Sequence, residues 1–271
     1  MKKQILLLIS TVLLLLSACS TVPLINRKQI LLVPQVELLS MSYNNYDQFL
    51  DTSKVSTNYT DVNRVKTAGK NISEGVETFL KEKGLEKRID QFNWEFNLIE
   101  NDVPNAWCMP GGKVVFYSGI LPLCQNDDGI AVVMGHEIAH AVARHGNERM
   151  SQSLMVAAGG MALSEFMKSK PQQTQEIFLS AFAIGSQVGV LLPYSRKHEY
   201  EADKLGLIFM AMAGYNPNES IKFWERMMEY SGPKPPEFLS THPAGEKRIA
   251  EMKKNLPEAM TYYEAAVQKL P

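Results

Sequence analysis

The chain has 271 residues, a formal net charge of -1 and 21% charged residues. A chain of this length can bury a core unaided, and its 45% hydrophobic content is typical of a globular protein. The near-neutral charge provides no basic surface for nucleic acid, so we exclude the class of nucleic-acid-binding proteins.

The first eighteen residues have the composition of a secretory signal peptide. Lys2 and Lys3 precede an apolar run from Ile5 to Leu16, and small residues follow that run. The run is shorter than a membrane-spanning helix requires. We therefore predict a signal peptide over residues 1–18.

The end of this signal peptide, Leu16-Ser17-Ala18-Cys19, resembles a bacterial lipobox. The resemblance implies that Cys19 carries lipid and that this lipid anchors the mature chain to a membrane. Ser20 after the cysteine favours the outer membrane, on the periplasmic side, by analogy with bacterial lipoproteins. An ordinary cleaved signal followed by a chance cysteine is the alternative.

The next segments alternate between irregular and regular patterns. Residues 19–40 contain two prolines and no clear periodicity, which is typical of a tether. Met41 to Leu85 has a polar, helical pattern with Gly84 as a plausible stop. Cys108 and Cys124 lie outside any metal-binding cysteine motif; they could pair in an oxidising compartment, but we favour two isolated thiols.

Three short segments predict strands. Phe92 to Ile99 alternates apolar and polar residues for most of its length, and Asn105 to Pro110 and Lys113 to Ser118 flank a glycine pair. Everything after Gly119 indicates helix. The pattern predicts a mostly helical α+β domain with a small antiparallel sheet.

A largely apolar helix is predicted after residue 126. Asp127 or Asp128 can cap its start, and Gly146 can end it. The helix has little polar face, so we expect it to be buried. It nevertheless contains two histidines and a glutamate, and buried polar groups need partners or a purpose.

His136, Glu137 and His140 form the pattern His-Glu-x-x-His. Side chains at i and i+4 share a helix face, so His136 and His140 can hold one zinc ion. Glu137 projects about 100° away and can reach a water on the zinc rather than the zinc itself. We predict one Zn2+ per chain and Glu137 as general base. A coincidental pair of core histidines is the alternative.

A catalytic zinc site generally has three protein ligands and one open position. The metzincin pattern would need glycine at Ala143 and histidine at Gly146, so it is excluded. A carboxylate from a second helix remains, and a later segment offers Glu199, Glu201 and Asp203.

Helical phase separates these three acids. Glu199 and Asp203 are four residues apart and share a face, whereas Glu201 projects about 200° from Glu199. We predict Glu199 as the third zinc ligand and keep Glu201 as the alternative. Asp203 can accept the N–H of a zinc-bound histidine and so fix the orientation of its ring.

Four segments resemble the gluzincin metallopeptidase family that includes the heat-shock protease HtpX, the type I CAAX prenyl protease, the mitochondrial OMA protease and the bacterial lipoproteins LoiP and BepA. They are Asn105–Leu121, Gly135–Gly146, Tyr194–Gly206 and Ser240–Ile249. The resemblance implies a zincin-like fold with an active-site helix. It also implies a zinc-dependent endopeptidase that acts on unfolded or misfolded envelope proteins, and it leaves the oligomeric state open.

The resemblance implies further roles that spacing alone does not assign. The segment with Asn105, Gly111 and Gly112 is similar to an edge strand that holds extended substrate by strand addition, and a plain core strand is the alternative. His242 resembles a histidine near the zinc that stabilises the oxyanion or binds as an inhibitory fourth ligand. A solvated loop histidine is the alternative. Arg248 could face the site, but we favour an ordinary surface charge.

The two other histidines are not expected at the zinc. His145 is about half a turn out of phase with His136, and His198 precedes the predicted ligand and faces elsewhere. Residues 41–271 are predicted to form one metallopeptidase domain after the lipidated tether of residues 19–40. The alternative function is a chaperone-like or latent protease lipoprotein that keeps zinc and is gated by His242. A purely structural envelope lipoprotein without zinc is the third possibility.

Overall fold

The computed structural model describes residues 19–168, 192–230 and 236–268, and also 170, 172–173, 175–176 and 179–180. The predicted signal peptide, residues 1–18, lies outside the described residues. The chain divides into two units. The first contains the described parts of Met1–Glu37 and Arg144–His198, and the second contains those of Leu38–Ala143 and Glu199–Pro271.

The elements are mostly helices, which confirms the predicted α+β class. In chain order they are β1 Cys19–Thr21, β2 Lys28–Ile30, α1 Gln35–Thr52, α2 Tyr59–Glu82, β3 Glu95–Ile99, β4 Ala106–Met109, β5 Lys113–Tyr117, α3 Leu121–Cys124, α4 Asp127–Val142, α5 His145–Met167, α6 Leu192–Met212, α7 Glu219–Glu229, α8 Glu237–Thr241 and α9 Glu246–Val267.

The sheet of the second unit has the strand order β3-β5-β4. Strands β4 and β5 are antiparallel, with Cys108 opposite Val114, but β3 runs parallel to β5. The prediction of an antiparallel sheet is therefore wrong for β3. After β3 the chain forms β4 two strand positions away, and β5 then fills the position between β3 and β4. Among the described strands, β4 pairs with β5 alone and forms an edge of this sheet.

The turn between β4 and β5 requires two glycines. Gly111 and Gly112 have φ angles of 88° and 83°, which side chains rarely adopt. A Cβ on Gly111 would lie 2.6 Å from the ring of Tyr43, and one on Gly112 would lie 2.4 Å from the ring of Trp94. The residues predicted to help hold substrate thus form the hairpin turn rather than the strand itself.

Helix α4 is buried, as its sequence predicts. Every residue from Gly129 to His140 is buried, and the helix packs against α2, α3, α7 and β4. Its N-terminal cap is Asn126, whose side chain accepts the N–H of Gly129 at 2.8 Å.

The predicted ends of α4 are wrong by a few residues. Asp127 and Asp128 lie in the first turn, where acidic side chains interact favourably with the positive end of the helix dipole. Neither aspartate is the cap. The helix ends at Val142 because Arg144 adopts the left-handed conformation, with φ 60°. Gly146, the predicted end, already belongs to α5.

Helices α4 and α6 approach each other closely at Gly135 and Gly206. A Cβ on Gly135 would lie 2.8 Å from the carbonyl oxygen of Gly206, and one on Gly206 would lie 2.9 Å from the backbone nitrogen of His136. Real Cβ atoms do not approach so closely, so only glycine allows this contact between backbones. The contact fixes the spacing of the two helices that carry the predicted zinc ligands.

The segment predicted as a tether contains regular structure in the first unit. It begins with the antiparallel ribbon of β1 and β2. The N–H of Leu32 then donates to Ser151 Oγ at 2.8 Å, and the side chain of Asn147 donates to the carbonyl of Val33 at 2.9 Å. Residues 19–33 therefore pack on α5 instead of running free.

Cys108 and Cys124 are free thiols, as favoured from the sequence. Cys108 is partly buried on β4 and Cys124 is buried at the end of α3.

Gly206→Ala is expected to lower the free energy of unfolding by about 1–3 kcal/mol, because the added methyl group forces α4 and α6 apart. It should also weaken zinc binding by about tenfold, since such sites tolerate displacements of only about 0.5 Å. Urea unfolding and zinc titration against a chelator measure the two effects.

Gly75→Ala is the matched control, because its new methyl group would contact α6 at 3.3 Å or more. It should leave zinc binding unchanged. Equal zinc affinities for the Gly206 and Gly75 variants would contradict the role assigned to the close contact.

Candidate active site and metal centre

His136 and His140 meet Glu199 in the buried interior of the second unit. The Nε2 atoms of the two histidines are 3.1 Å apart. Glu199 places Oε2 at 3.3 Å from His136 Nε2 and Oε1 at 3.4 Å from His140 Nε2. The structure therefore brings together the three side chains that the sequence predicted as ligands.

These separations fit one zinc ion. With zinc–ligand distances of about 2.0–2.1 Å, the donor atoms of a tetrahedral site lie about 3.3 Å apart. The two imidazole nitrogens and the carboxylate are also the donor types that zinc prefers. Among the described residues, the group that could hold a metal consists of His136, His140, Glu199 and His242. The site thus fits zinc in geometry and in chemistry.

Asp203 orients His136. Its Oδ1 lies 3.0 Å from His136 Nδ1, so that nitrogen donates its proton to the carboxylate and Nε2 is directed towards the donor cluster. Burial disfavours the charged imidazole, but the contacts with Asp203 and Glu199 outweigh it and raise the pKa of His136 to about 9. The spacing of Glu199 and Asp203, one helical turn apart on α6, produces this arrangement.

The Glu199 carboxylate is ionised. Burial raises the pKa of this group, but the neighbouring His140, His136 and His242 outweigh burial and hold it well below its usual value. An ionised carboxylate is the form that binds a metal.

Arg248 lies in the site, so the prediction of a surface charge is wrong. The side chain is buried and donates two hydrogen bonds to the Asp203 carboxylate, from Nε at 2.5 Å and from Nη2 at 2.6 Å. Its Nη1 lies 3.2 Å from Glu199 Oε2. Its guanidinium also stacks on Trp224, with Cζ 3.8 Å from the ring centroid.

Sequence reasoning missed this role because it depends on α9 and α7 packing together around the site. The resemblance of Ser240–Ile249 to the metallopeptidase family was the one available signal. Asp203 and Glu199 outweigh the effect of burial and raise the pKa of Arg248, so the guanidinium stays charged.

His242 lies between the donor cluster and Glu137. Its Nδ1 is 3.0 Å from Glu199 Oε2 and 3.2 Å from His136 Nε2, while its Nε2 is 3.3 Å from Glu137 Oε1. The side chain is buried, which excludes the alternative of a solvated loop histidine.

Glu137 is buried on α4 beside this cluster. Its carboxylate contacts the imidazole of His242 and is not in the group of possible ligands among the described residues. This agrees with the helical phase, which directs Glu137 away from the face shared by His136 and His140.

The edge strand β4 runs past Glu137. Burial and the nearby Glu137 carboxylate raise the pKa of the Cys108 thiol well above its usual value. Asn105 precedes the strand and is buried, and its side-chain oxygen accepts the N–H of Ala106 at 2.9 Å. Asn105 thus shapes the start of the edge strand.

The remaining candidates lie away from the donors. Glu201 is buried on α6 and does not belong to the group of possible metal ligands in the described part of the chain. His145 and His198 stack on each other in the first unit, with ring centroids 4.2 Å apart.

Residues 67–256 match peptidase family M48. The chain belongs to this family. The match contains the four side chains that could hold a metal, and also Glu137, Asp203 and Arg248.

Three relatives illustrate the range of similar proteins. The mitochondrial metalloendopeptidase OMA1 of Saccharomyces cerevisiae is 40% identical over 198 residues, which cover 70% of this chain and 55% of the yeast protein. The metalloendopeptidase OMA1 of Homo sapiens is 31% identical, covering 64% of this chain and 34% of its own length. The beta-barrel assembly-enhancing protease of Escherichia coli K12 is 31% identical, covering 58% and 33%. The chain thus spans about half of the yeast relative and about a third of the other two.

Proposed function

We propose that this chain is a zinc-dependent metalloendopeptidase in which His136, His140 and Glu199 hold the metal and Glu137 is the general base. The observation that carries the proposal is the convergence of the three donor side chains at 3.1–3.4 Å from one another. Membership of peptidase family M48 and the names of the OMA1 relatives support cleavage within protein chains.

Zinc, when bound, lowers the pKa of a coordinated water and polarises a carbonyl oxygen. Glu137 is placed to accept a proton from the attacking water and to return it to the leaving amine nitrogen. Asp203 keeps His136 in the tautomer that presents Nε2 to the metal. Arg248 holds Asp203 in place and balances the negative charge that two buried carboxylates would otherwise leave.

Strand β4 is proposed to bind the substrate backbone. It is an edge of the sheet among the described strands and lies next to α4 and Glu137. An extended peptide can add to such an edge through backbone hydrogen bonds, which recognise any sequence that is unfolded. This mode suits unfolded or misfolded proteins as substrates.

The proposed location is the bacterial envelope, with the chain anchored by lipid on Cys19 to the outer membrane and facing the periplasm. The lipobox-like end of the predicted signal peptide supports the anchor. The name of the Escherichia coli relative, a beta-barrel assembly-enhancing protease, supports envelope substrates. In the described part of the chain, none of the helices has the length and apolar character needed to cross a membrane.

A second candidate function is a latent protease gated by His242. Its basis is the position of His242 Nδ1 at 3.0 Å from Glu199 and 3.2 Å from His136, where it can serve as a fourth ligand. As a fourth ligand, His242 would occupy the coordination position that the reacting water needs. His242 would then have to move away before Glu137 could accept a proton from that water.

Glu137→Gln is expected to keep one zinc per chain and to slow cleavage of unfolded casein by about 10²-fold or more, because the amide cannot accept the proton. Elemental analysis and a fluorescent casein assay measure the two quantities. Glu201→Gln makes the same chemical change on α6 outside the donor group and should retain cleavage. Cleavage at the wild-type rate by the Glu137 variant would reject the assignment.

His242→Ala is expected to raise the basal rate of casein cleavage, by about tenfold if nine chains in ten are closed. The zinc content should stay at one per chain, because three ligands remain. A slower rate with zinc retained would instead place His242 among the groups that stabilise the transition state, and it would reject the gate.

Cys19→Ser is expected to abolish incorporation of labelled palmitate and to release the protein from the membrane fraction of a bacterial host. Cys108→Ser is the matched control, because it also removes a thiol but leaves the lipobox-like segment intact. Equal labelling of the two variants would reject lipidation at Cys19.

A further inference from the structure

Helix α5 of the first unit exposes apolar residues and buries polar ones. The buried residues of its first two turns are His145, Asn147, Glu148, Ser151 and Gln152. Large apolar residues further along the helix are exposed, with exposed fractions of 50% for Leu154, 68% for Met161 and 72% for Phe166. A helix on the surface of a soluble protein normally has the reverse arrangement, with its apolar residues buried.

The polar side of α5 is buried because it holds the N-terminal segment, residues 19–33. Arg27 donates to both carboxylate oxygens of Glu148, from Nη1 at 2.6 Å and Nη2 at 2.7 Å. One turn further along, Ser151 Oγ accepts the N–H of Leu32 at 2.8 Å. These contacts use polar side chains of α5, so they do not account for its exposed apolar residues.

Three of the exposed apolar residues lie on one face of α5. They are Met150, Leu154 and Met161, which we call the apolar stripe. Their separations of four and seven residues make the side chains project within about 40° of one another. A contiguous exposed apolar surface on a protein usually binds another protein or a membrane.

The length of the apolar part of α5 fits a helix that lies on a membrane. The sequence from Met150 to Ser164 contains no charged residue. As a helix this run measures about 22 Å, which is less than the hydrocarbon thickness of about 30 Å. A helix of this kind can lie in the membrane surface, with its apolar side chains at the boundary between headgroups and acyl chains.

The position of the proposed lipid favours a membrane over a protein partner. Cys19 pairs with Ile30 in the ribbon of β1 and β2, and Leu32 follows Ile30 by two residues and contacts Ser151. The α-carbon of Cys19 therefore lies within about 20 Å of Ser151. The apolar stripe passes through the same part of α5, so a lipid on Cys19 would hold the bilayer within reach of the stripe.

We propose that the apolar stripe is a second membrane contact, which inserts into the surface of the bilayer beside the lipid on Cys19. The choice of a bilayer as the partner rests on the proposed lipidation of Cys19. A shallow contact by one helix binds weakly, so a chain without the lipid is still released when cells are fractionated. Together the two contacts hold the first unit in one orientation on the membrane.

The test uses the mature chain, residues 19–271, with Cys19→Ser, so that no lipid contributes to binding. This parent chain is mixed with vesicles of phosphatidylethanolamine and phosphatidylglycerol, and the bound fraction is measured by flotation over a range of lipid concentrations. A double variant, Leu154→Ser with Met161→Ser, removes two of the three apolar side chains of the stripe.

The matched control is Tyr59→Ser with Met228→Ser. It removes two exposed apolar side chains of the second unit, whose exposed fractions are 83% and 41%. Both double variants should keep the circular dichroism spectrum and the casein cleavage of the parent chain, because the changed side chains are exposed and lie outside the proposed active site.

The stripe variant is expected to bind the vesicles at least about tenfold more weakly than the parent chain, because it loses the apolar area that enters the bilayer. The control variant should bind as the parent chain does. Equal binding by the two variants would overturn the proposal, and so would a parent chain that does not bind vesicles.

Met161→Trp gives a second measurement that keeps the stripe apolar, and it serves if the double variant does not fold. Compared with the parent chain, the added fluorescence should shift to shorter wavelength with vesicles and should be quenched by phospholipids with brominated acyl chains. Tyr59→Trp is its control and should show neither effect. Absence of both effects for Met161→Trp would contradict insertion of the stripe.

Two further results separate this proposal from its alternatives. A dimer of the parent chain that the stripe variant alone loses in analytical ultracentrifugation, without a change in vesicle binding, would assign the stripe to a contact between two copies and overturn the proposal. Palmitate labelling tests the lipid on Cys19 separately. Labelling without vesicle binding by the stripe rejects only the second contact, and vesicle binding without labelling rejects only the lipid.

Discussion

The close contact between α4 and α6 at Gly135 and Gly206 is the constraint on which the site depends. Two helices normally pack with their axes 8–10 Å apart because side chains separate them. Two glycines remove those side chains, and backbone then meets backbone beside His136. At this spacing the side chain of a glutamate on α6 is long enough for its carboxylate to contact two histidines of α4. At a wider helix spacing the same residues would lie too far apart to form a metal site.

The site also depends on the balance of charge in a buried place. Glu137, Glu199 and Asp203 bring three carboxyl groups into the same interior, and Arg248 contacts two of them. The hydrogen-bonded contact between Arg248 and Asp203 keeps the Asp203 carboxylate in place while it contacts His136. Trp224 covers the guanidinium and keeps it from water, so the ion pair acts in a medium where it is strong. The orientation of the His136 imidazole on α4 thus depends on side chains from three other helices, α6, α7 and α9.

The sequence predicted those features of the site that follow from the period of a single helix, first in α4 and then in α6. His136, Glu137 and His140 lie within five positions, so the period of the helix determines their relative directions. The same phase argument separated Glu199 from Glu201, and the structure places Glu199 beside the two histidines and Glu201 outside that group. Burial of α4 followed in the same way from its lack of a polar face.

The parts that the sequence did not predict depend on how distant segments pack. Arg248 is buried because α7 supplies Trp224 and α6 supplies Asp203, and no local pattern encodes that meeting. The parallel pairing of β3 depends on which strand fills the space beside it. Asn126 caps α4 in place of either aspartate. A shift of one residue in the start of a helix changes which side chain is the cap, and the local sequence pattern does not determine the start that accurately.

The packing of residues 19–33 on α5 has a consequence for where the protein can work. With lipid on Cys19, as proposed, only eight positions separate the anchor from Arg27. Even fully extended, that stretch spans at most about 28 Å. The first unit would then be held within a thin layer above the bilayer. Confinement of this kind raises the effective concentration of substrates that share the surface, and it leaves proteins further away largely beyond reach.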